Sequence, residues 1–360
     1  MYIKDIELRN FRNYRDIKVS FGKNVNIFIG SNAQGKTNLL EAIYMNSMAR
    51  SFKTSRDREL VMFGEDMCMI KTSAMAGDEE YVTEIAVSSD GAKAVKVNGS
   101  RIRKTSELLE RIYIIIFSPE DLKIVKEGPE KRRRFMDREL CQIKPGYYMD
   151  LGNYRKVLKQ RNALLKEDEI ETSILDIWDM ELAKYGSRIT AERRRFIKNT
   201  DEMSASLHSA ISGGREKLSL IYEADAPEDE GDFIEILREA RDEDIKNRNT
   251  SRGPHRDDFS IMADKIDLRK FGSQGQQRTA ALSLKLSEIR IIEKETGERP
   301  ILLLDDVLSE LDSQRQSYLI NSLGENQLFI TTADLSGKVV RELPRGKIFK
   351  IKEGDIDIEI

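Results

Sequence analysis

Gly30-Ser31-Asn32-Ala33-Gln34-Gly35-Lys36-Thr37 is the stretch on which the reading of this 360-residue chain turns. All eight positions fit the pattern GxxxxGK[ST], and the flanks fit as well. The apolar run Val25 to Ile29 leads in as a strand, and Asn38-Leu-Leu-Glu-Ala-Ile leads out as a helix. In such a loop the backbone N–H groups of Gly30, Ser31, Asn32, Ala33, Gln34 and Gly35 point inward and bind phosphate oxygens at the positive end of a helix. Lys36 is expected to reach the β- and γ-phosphates as a catalytic cation, and the Thr37 hydroxyl to ligate Mg2+.

A second chemical signal lies far downstream. Ile301-Leu-Leu-Leu304-Asp305-Asp306 is an apolar strand ending in two carboxylates. Burying the strand would hold Asp305 at its tip, where it can bind Mg2+, and would place Asp306 to orient or deprotonate an attacking water. Two further motifs bracket this strand: Ser273-Gln274-Gly275-Gln276-Gln277 opens a helix before it, and Ser309-Glu-Leu-Asp312 follows it. In that order they resemble the signature motif and D-loop of ABC ATPases, whereas Ser273 to Gln276 taken alone would read as a polar helix cap. The resemblance implies ATP as the nucleotide and a head-to-tail homodimer. In that dimer Ser273, Gln274, Gly275 and Gln276 of one copy complete the ATP site of the other.

Composition limits the remaining possibilities. Hydrophobic residues at 39% support a packed core, and no apolar run approaches the roughly 18 residues of a membrane span. Cys68 and Cys141 stand far apart, without a CxxC or a histidine pair, which argues against a disulfide framework or a zinc site. Charged residues open the chain, as in no signal peptide, and the expected location is cytoplasmic. A net charge of −3 speaks mildly against a generic nucleic-acid coat but leaves room for a local basic patch.

Periodicity divides the chain. Near-alternate apolar residues through the first hundred positions predict strands, with Ser89-Asp90-Gly91 and Asn98-Gly99 as turns of two hairpins over 80–103. Residues 112–117 read as a buried strand. From about 129 to 211 the period becomes helical, with Leu151, Tyr154, Leu158 and Leu165 on one face and Ile174, Trp178, Leu182, Tyr185 and Ile189 on another. Residues 224–232 read as an acidic loop, 217–222, 259–262 and 266–271 as strands, and 275–295 as a helix. The expected fold class is α/β: a P-loop ATPase head, 1–125 plus 255–360, with a mostly helical lobe, 126–254, inserted in it.

Among ABC ATPases the chain lacks the glutamine and histidine typical of transporter subunits; Phe117-Ser-Pro-Glu-Asp-Leu122 holds no glutamine, and Thr332 stands where a switch histidine would be. The interval is also too short for an SMC coiled coil. Leu8-Arg-Asn-Phe11-Arg-Asn-Tyr14, Arg50-Ser-Phe-Lys-Thr54, Phe117 to Leu122, Gly128-Pro-Glu-Lys-Arg132-Arg133 with Asp137, Gly253-Pro-His-Arg-Asp-Asp258 and Leu303 to Asp312 together resemble the RecF family of DNA repair proteins over essentially the whole chain. The resemblance implies an ATP-dependent dimer that binds double-stranded and gapped DNA. It also implies association with RecR and, through it, RecO and RecA, whose loading at gaps the protein would promote. A weak DNA-stimulated ATPase used as a switch would accompany an SOS-linked role in repair and replication. The alternative is an energy-coupling subunit of a membrane transporter.

Several tempting residues have plainer readings. Lys131 to Arg134 and Arg193 to Arg195 sit among acids and read equally well as salt-bridged helix faces. Arg50, Lys53, Arg56 and Arg58, on a loop after the P-loop helix, are the better DNA-contact candidates. Arg12 could reach the nucleotide. His255 reads as loop-fixing, His208 as incidental and Trp178 as core.

Overall fold

The computed structural model describes residues 1–333 and 346–359. They form two compact units, Met1–Asp121 with Glu288–Ile360, and Leu122–Ser287.

The first unit holds an antiparallel sheet built from the N-terminal run and a mainly parallel sheet that combines strands of both chain segments. The strands β1 (Tyr2–Phe11), β2 (Tyr14–Ser20) and β3 (Val25–Ile29) precede helix α1 (Lys36–Met48), and β4 (Met67–Ala76), β5 (Glu79–Ser88), β6 (Lys93–Val97), β7 (Ser100–Arg101) and β8 (Ile114–Phe117) follow. The antiparallel sheet has the order β2-β1-β4-β5-β6-β7. Its alternation is legible side by side: Ile6, Leu8, Ile70, Ile85 and Val95 are buried, while Glu7, Lys71, Glu84 and Lys96 face solvent or stand half-exposed. The two hairpins over 80–103 are present as expected.

The second unit is carried mainly by helices. After α2 (Leu122–Lys126) come α3 (Pro129–Ile143), α4 (Pro145–Leu164) and the 41-residue α5 (Thr172–Ser212). At 1.5 Å per residue α5 is roughly 60 Å long. Then follow β9 (Leu218–Glu223), α6 (Glu230–Glu239), α7 (Arg241–Asn247), β10 (Asp258–Ala263), β11 (Ile266–Asp267) and α8 (Leu268–Phe271). The strands pair as β11-β10-β9. Helix α9 (Gln274–Thr296) begins in this unit and ends in the first. Residues 255–287, read from sequence as part of the ATPase lobe, are thus grouped by compactness with the helices.

Three local expectations are corrected. Residues 266–271 are not one strand, because Asp267 accepts a hydrogen bond from the Arg269 N–H and caps the short α8. The acidic stretch 224–232 is loop only as far as Asp229, whose carboxylate accepts from the Asp232 N–H and starts α6. On α5 the buried stripe is Leu175, Asp179, Leu182, Gly186 and Ile189, with Ile174 exposed and Trp178 and Tyr185 half-buried. Trp178 does pack on the small cluster of Leu164, Leu165 and Leu175.

The chain then returns to the first unit with β12 (Ile301–Asp305), α10 (Ser313–Ser322), β13 (Leu328–Thr332), β14 (Gly346–Lys352) and β15 (Asp355–Glu359). The second sheet runs β15-β14-β3-β13-β12-β8, parallel from β14 to β8, with β15 antiparallel at its edge. Strands covered on both faces need continuous apolar sequence, as Ile301 to Leu304 and Ile114 to Phe117 supply. Phe21, Phe28, Phe329 and Phe349 meet in edge-on, tilted and stacked pairs, their centroids 4.9–6.1 Å apart. Helix α1 packs on β12, β13 and β8 and also on β4, which fixes the P-loop at the carboxyl ends of the parallel strands, where open α/β sheets bind ligands.

Candidate nucleotide site

Register builds the site. Thr331 of β13 lies level with Asp305 of β12 and with Phe28 of β3, and Thr332 lies level with Ile29. The three strand ends therefore bring the start of the P-loop, Asp305 and Thr331 to one edge. Thr37 Oγ1 donates to Asp305 Oδ1 at 2.8 Å, and Thr331 Oγ1 donates to the same oxygen at 3.0 Å. The Asp306 N–H donates back to Thr331 Oγ1 at 2.9 Å. Asp306 has φ 52°, a left-handed conformation that Asp tolerates better than most residues, and it turns the chain away from the strand.

The two glycines of the loop are tightly enclosed, while Ser31, Asn32 and Ala33 are exposed. A Cβ on Gly30 would stand 2.3 Å from the Ile351 carbonyl oxygen, and Gly35 combines φ 116° with Asn13 and the Tyr14 hydroxyl against its Cα. Lys36 Nζ donates to the carbonyls of Gly30 and Ser31. Burial lowers its pKa from 10.5, and the nearby Asp306 and Asp305 carboxylates oppose that shift. Burial also raises the Asp305 pKa above the ordinary carboxylate value, against the hydrogen bonds from Thr37 and Thr331 and the charge of Lys53. A buried carboxylate oxygen beside a hydroxyl is a hard oxygen pair, the donor chemistry Mg2+ prefers.

Residues that the sequence reading did not assign to the site brace it. Asn13 Nδ2 donates to the Gln34 carbonyl at 3.0 Å, and the Tyr14 hydroxyl donates to the Gly35 carbonyl at 3.0 Å. Asn38 Nδ2 donates to Asn13 Oδ1, while the turn after β14 holds Gln34 through the Glu353 and Gly354 N–H groups. Thr331 was hidden inside an apolar strand, with no local signal beyond a hydroxyl in a buried run. Arg12 is committed elsewhere: its guanidinium takes both oxygens of the buried Glu41 on α1, at 2.9 and 2.8 Å, and Nη1 donates to the Glu59 carbonyl. Ser51 also donates to Glu41, so two of the quoted segments, 8–14 and 50–54, meet around the P-loop helix.

Of the other candidates, Lys53 borders the site, its charge acting on Asp305. Lys53 Nζ donates to Asn38 Oδ1 at 3.0 Å, and Arg56 pairs with Glu59 at 3.8 Å; Arg50 and Arg58 are exposed on the same loop. Ser273, Gln274, Gly275 and Gln276 belong to the second unit, at the N-terminus of α9. There the Ser273 hydroxyl accepts from the Gln276 N–H, and Gln276 Oε1 accepts from the Ser273 N–H, a reciprocal cap.

The basic runs are absorbed in ion pairs. Arg132 holds Asp258 at 2.6 and 2.8 Å, Arg133 donates to the Asp257 carbonyl, and Lys131 pairs with Glu127. The buried Arg193 joins Asp137 and Asp257, while Arg194 and Arg195 pair with Glu228 and Glu192. Segments 128–137 and 253–258 thus form one buried hub. His255 belongs to it: Nδ1 accepts from the Tyr154 hydroxyl at 2.7 Å, and Nε2 donates to the Thr250 carbonyl at 3.1 Å. His208 is not incidental; it is fully buried, 3.2 Å from Glu216.

Comparison with known proteins decides the family. The RecF/RecN/SMC N terminal domain model matches residues 2–342. A DNA replication and repair protein RecF from Agathobacter rectalis is 46% identical, with 99% of each chain covered. The chain belongs to the RecF family. A Clostridioides difficile RecF is 43% identical over 99% of this chain and 98% of its own. A solved structure of the recombination mediator protein RecF with ATP, in the RecFOR pathway, superimposes with a TM-score of 0.92 at 40% identity, covering 100% of this chain and 98% of that one. An Smc head from Pyrococcus furiosus shares the fold at TM-score 0.57 and 18% identity. This RecF-family chain is thus a DNA replication and repair protein with an ATPase-type head. The transporter alternative gains no support, and no helix among the described residues is long and apolar enough to cross a membrane.

Proposed function

We propose that this chain is an ATP-gated, DNA-binding recombination mediator that acts at single-strand gaps with RecR and, through it, RecO and RecA. The observation that carries the reading is the Thr37–Asp305 contact at a fully matched P-loop, in a chain aligned end to end with RecF. Gly30 to Gly35 would cradle the phosphates, Lys36 would neutralise them, and Thr37 and Asp305 would hold Mg2+. The metal, when bound, supplies charge neutralisation at the β- and γ-phosphates. Asp306 is assigned to orient or deprotonate the attacking water. Because it is one methylene shorter than glutamate, hydrolysis should be slow, as suits a switch. The Ser273 cap leaves a helix N-terminus suited to a phosphate, and in this reading it contacts the ATP of a second copy, so that ATP favours the dimer. The lobes 1–125 plus 255–360 and 126–254 remain the proposed functional division.

The test is fluorescence anisotropy of a labelled gapped duplex titrated with protein in Mg-ATP and in Mg-ADP. Much tighter binding with ATP is expected. Equal binding with both nucleotides, or none, would remove DNA as the gated partner.

A further inference from the structure

The solvent face of the antiparallel sheet carries one continuous row of charge. Register places Lys18 opposite Glu7, Glu7 opposite Lys71, Lys71 opposite Glu84, Glu84 opposite Lys96, and Lys96 opposite Arg101. Five of these six residues form ion pairs, Lys18–Glu7 at 2.5 Å, Lys71–Glu84 at 3.9 Å and Lys96–Glu84 at 3.7 Å. Neighbouring cations on the sheet are satisfied too, Lys4 by Glu80 and Arg9 by Asp16. The alternation fails at one place. Lys96 and Arg101 are like charges directly opposite each other, an arrangement that destabilises a sheet.

Beyond it stand Arg103 and Lys104. With Arg101 they are exposed, and none of the three side chains has an ion pair among the described residues. The nearest acid in sequence, Glu107, spends its Oε1 on the backbone N–H groups of Arg103 and Lys104. Residues 100–111 carry four cationic side chains against two carboxylates, and the fourth, Arg111, lies over the Tyr81 ring at 5.1 Å. At this end of the sheet Lys96 keeps its pair with Glu84, while Arg101, Arg103 and Lys104 are unpaired among the described residues. The long basic runs, by contrast, are largely tied up in carboxylate pairs and carbonyl bonds.

We propose that this hairpin end, Lys96, Arg101, Arg103 and Lys104, is a contact surface for the phosphate backbone of duplex DNA. The assignment rests on the DNA-binding reading above. A polyanion would relieve the repulsion that the row leaves uncompensated. The Arg guanidinium fork suits phosphate oxygens. Contacts of this kind position the duplex without reading its sequence.

The experiment compares the full-length chain with Arg101→Ala/Arg103→Ala/Lys104→Ala in Mg-ATP, measuring duplex affinity as a function of salt. Three lost phosphate contacts should weaken binding at low salt and flatten the log K against log[salt] slope by about 2.7. The charge-keeping Arg101→Lys/Arg103→Lys variant should retain the wild-type slope. ATP binding and the circular dichroism spectrum should be unchanged in both, since none of the residues touches the nucleotide site. Wild-type slope and affinity in the triple alanine variant would overturn the hairpin while leaving DNA binding itself in place. If the wild-type protein bound no duplex, the hairpin and the DNA reading would fall together.

Discussion

Thr331→Val is the most informative single change at the nucleotide site. Valine keeps the shape of a side chain that is 2% exposed and removes only the hydroxyl. The substitution removes the donor to Asp305 Oδ1 at 3.0 Å and the acceptor for the Asp306 N–H at 2.9 Å, together with a longer contact of the hydroxyl to the Leu304 carbonyl at 3.4 Å. A hydrogen bond to a charged group contributes about 1.5–3 kcal/mol. Asp305 keeps its bond from Thr37, so its carboxylate is loosened rather than freed. At 1.4 kcal/mol per tenfold, the loss corresponds to about 10- to 100-fold in Mg2+ affinity, the range usual when a partner that orients a metal ligand is removed. The assay is a Mg2+ titration of the binding of a fluorescent ATP analogue. The half-saturating Mg2+ should rise by that factor in Thr331→Val and return toward wild type in Thr331→Ser. The same substitution removes one of the bonds that hold the Asp305 pKa down, so the acid limb of Mg-dependent binding should move to higher pH. If the Mg2+ curve of a folded Thr331→Val protein superimposed on wild type, Thr331 would have no part in holding Asp305.

Other expectations are narrower. Lys36→Ala should abolish both ATP-dependent dimerisation and tight DNA binding. Ser273→Arg should keep nucleotide binding and lose only the dimer, read by light scattering with ATP, and equal loss of ATP binding in both variants would sink the trans arrangement. Asp306→Asn should accumulate the ATP-bound dimer, and normal hydrolysis by that variant would count against Asp306 as the base. Burial lowers the pKa of His255 from 6.5, so the unfolded chain binds the proton more readily. The stability that its neutral form contributes is full above about pH 6.5 and declines as pH falls below it. Urea unfolding of wild type and His255→Gln should therefore diverge in pH dependence below that point, and parallel curves would exclude His255.

The P-loop was legible because an eight-residue pattern between an apolar strand and a helix specifies backbone conformation locally. The same locality made the hairpins over 80–103 readable from alternation and turn residues, and the buried strands readable from continuous apolar runs. It also explains the failures. A helical stripe can be read one residue out of phase, as with Ile174 and Leu175 on α5, because each turn offers two adjacent positions to the core. Likewise the cap that turns 268–271 into a helix is a single carboxylate on one N–H.

The sequence by itself marked Lys36, Thr37 and Asp305 as the candidate nucleotide site. The tertiary structure alone decided which residues hold them. Thr331 reaches Asp305 through strand register across β12 and β13, and Asn13 and Tyr14 reach the loop from another sheet. Charge followed the same division. The sequence counts 60 Lys and Arg against 63 Asp and Glu, but pairing is a matter of a few ångströms in space. The conspicuous runs 131–134 and 193–195 are largely tied up in carboxylate pairs and carbonyl bonds, and the inconspicuous Arg101, Arg103 and Lys104 are left outside, because only folding brings distant carboxylates within reach.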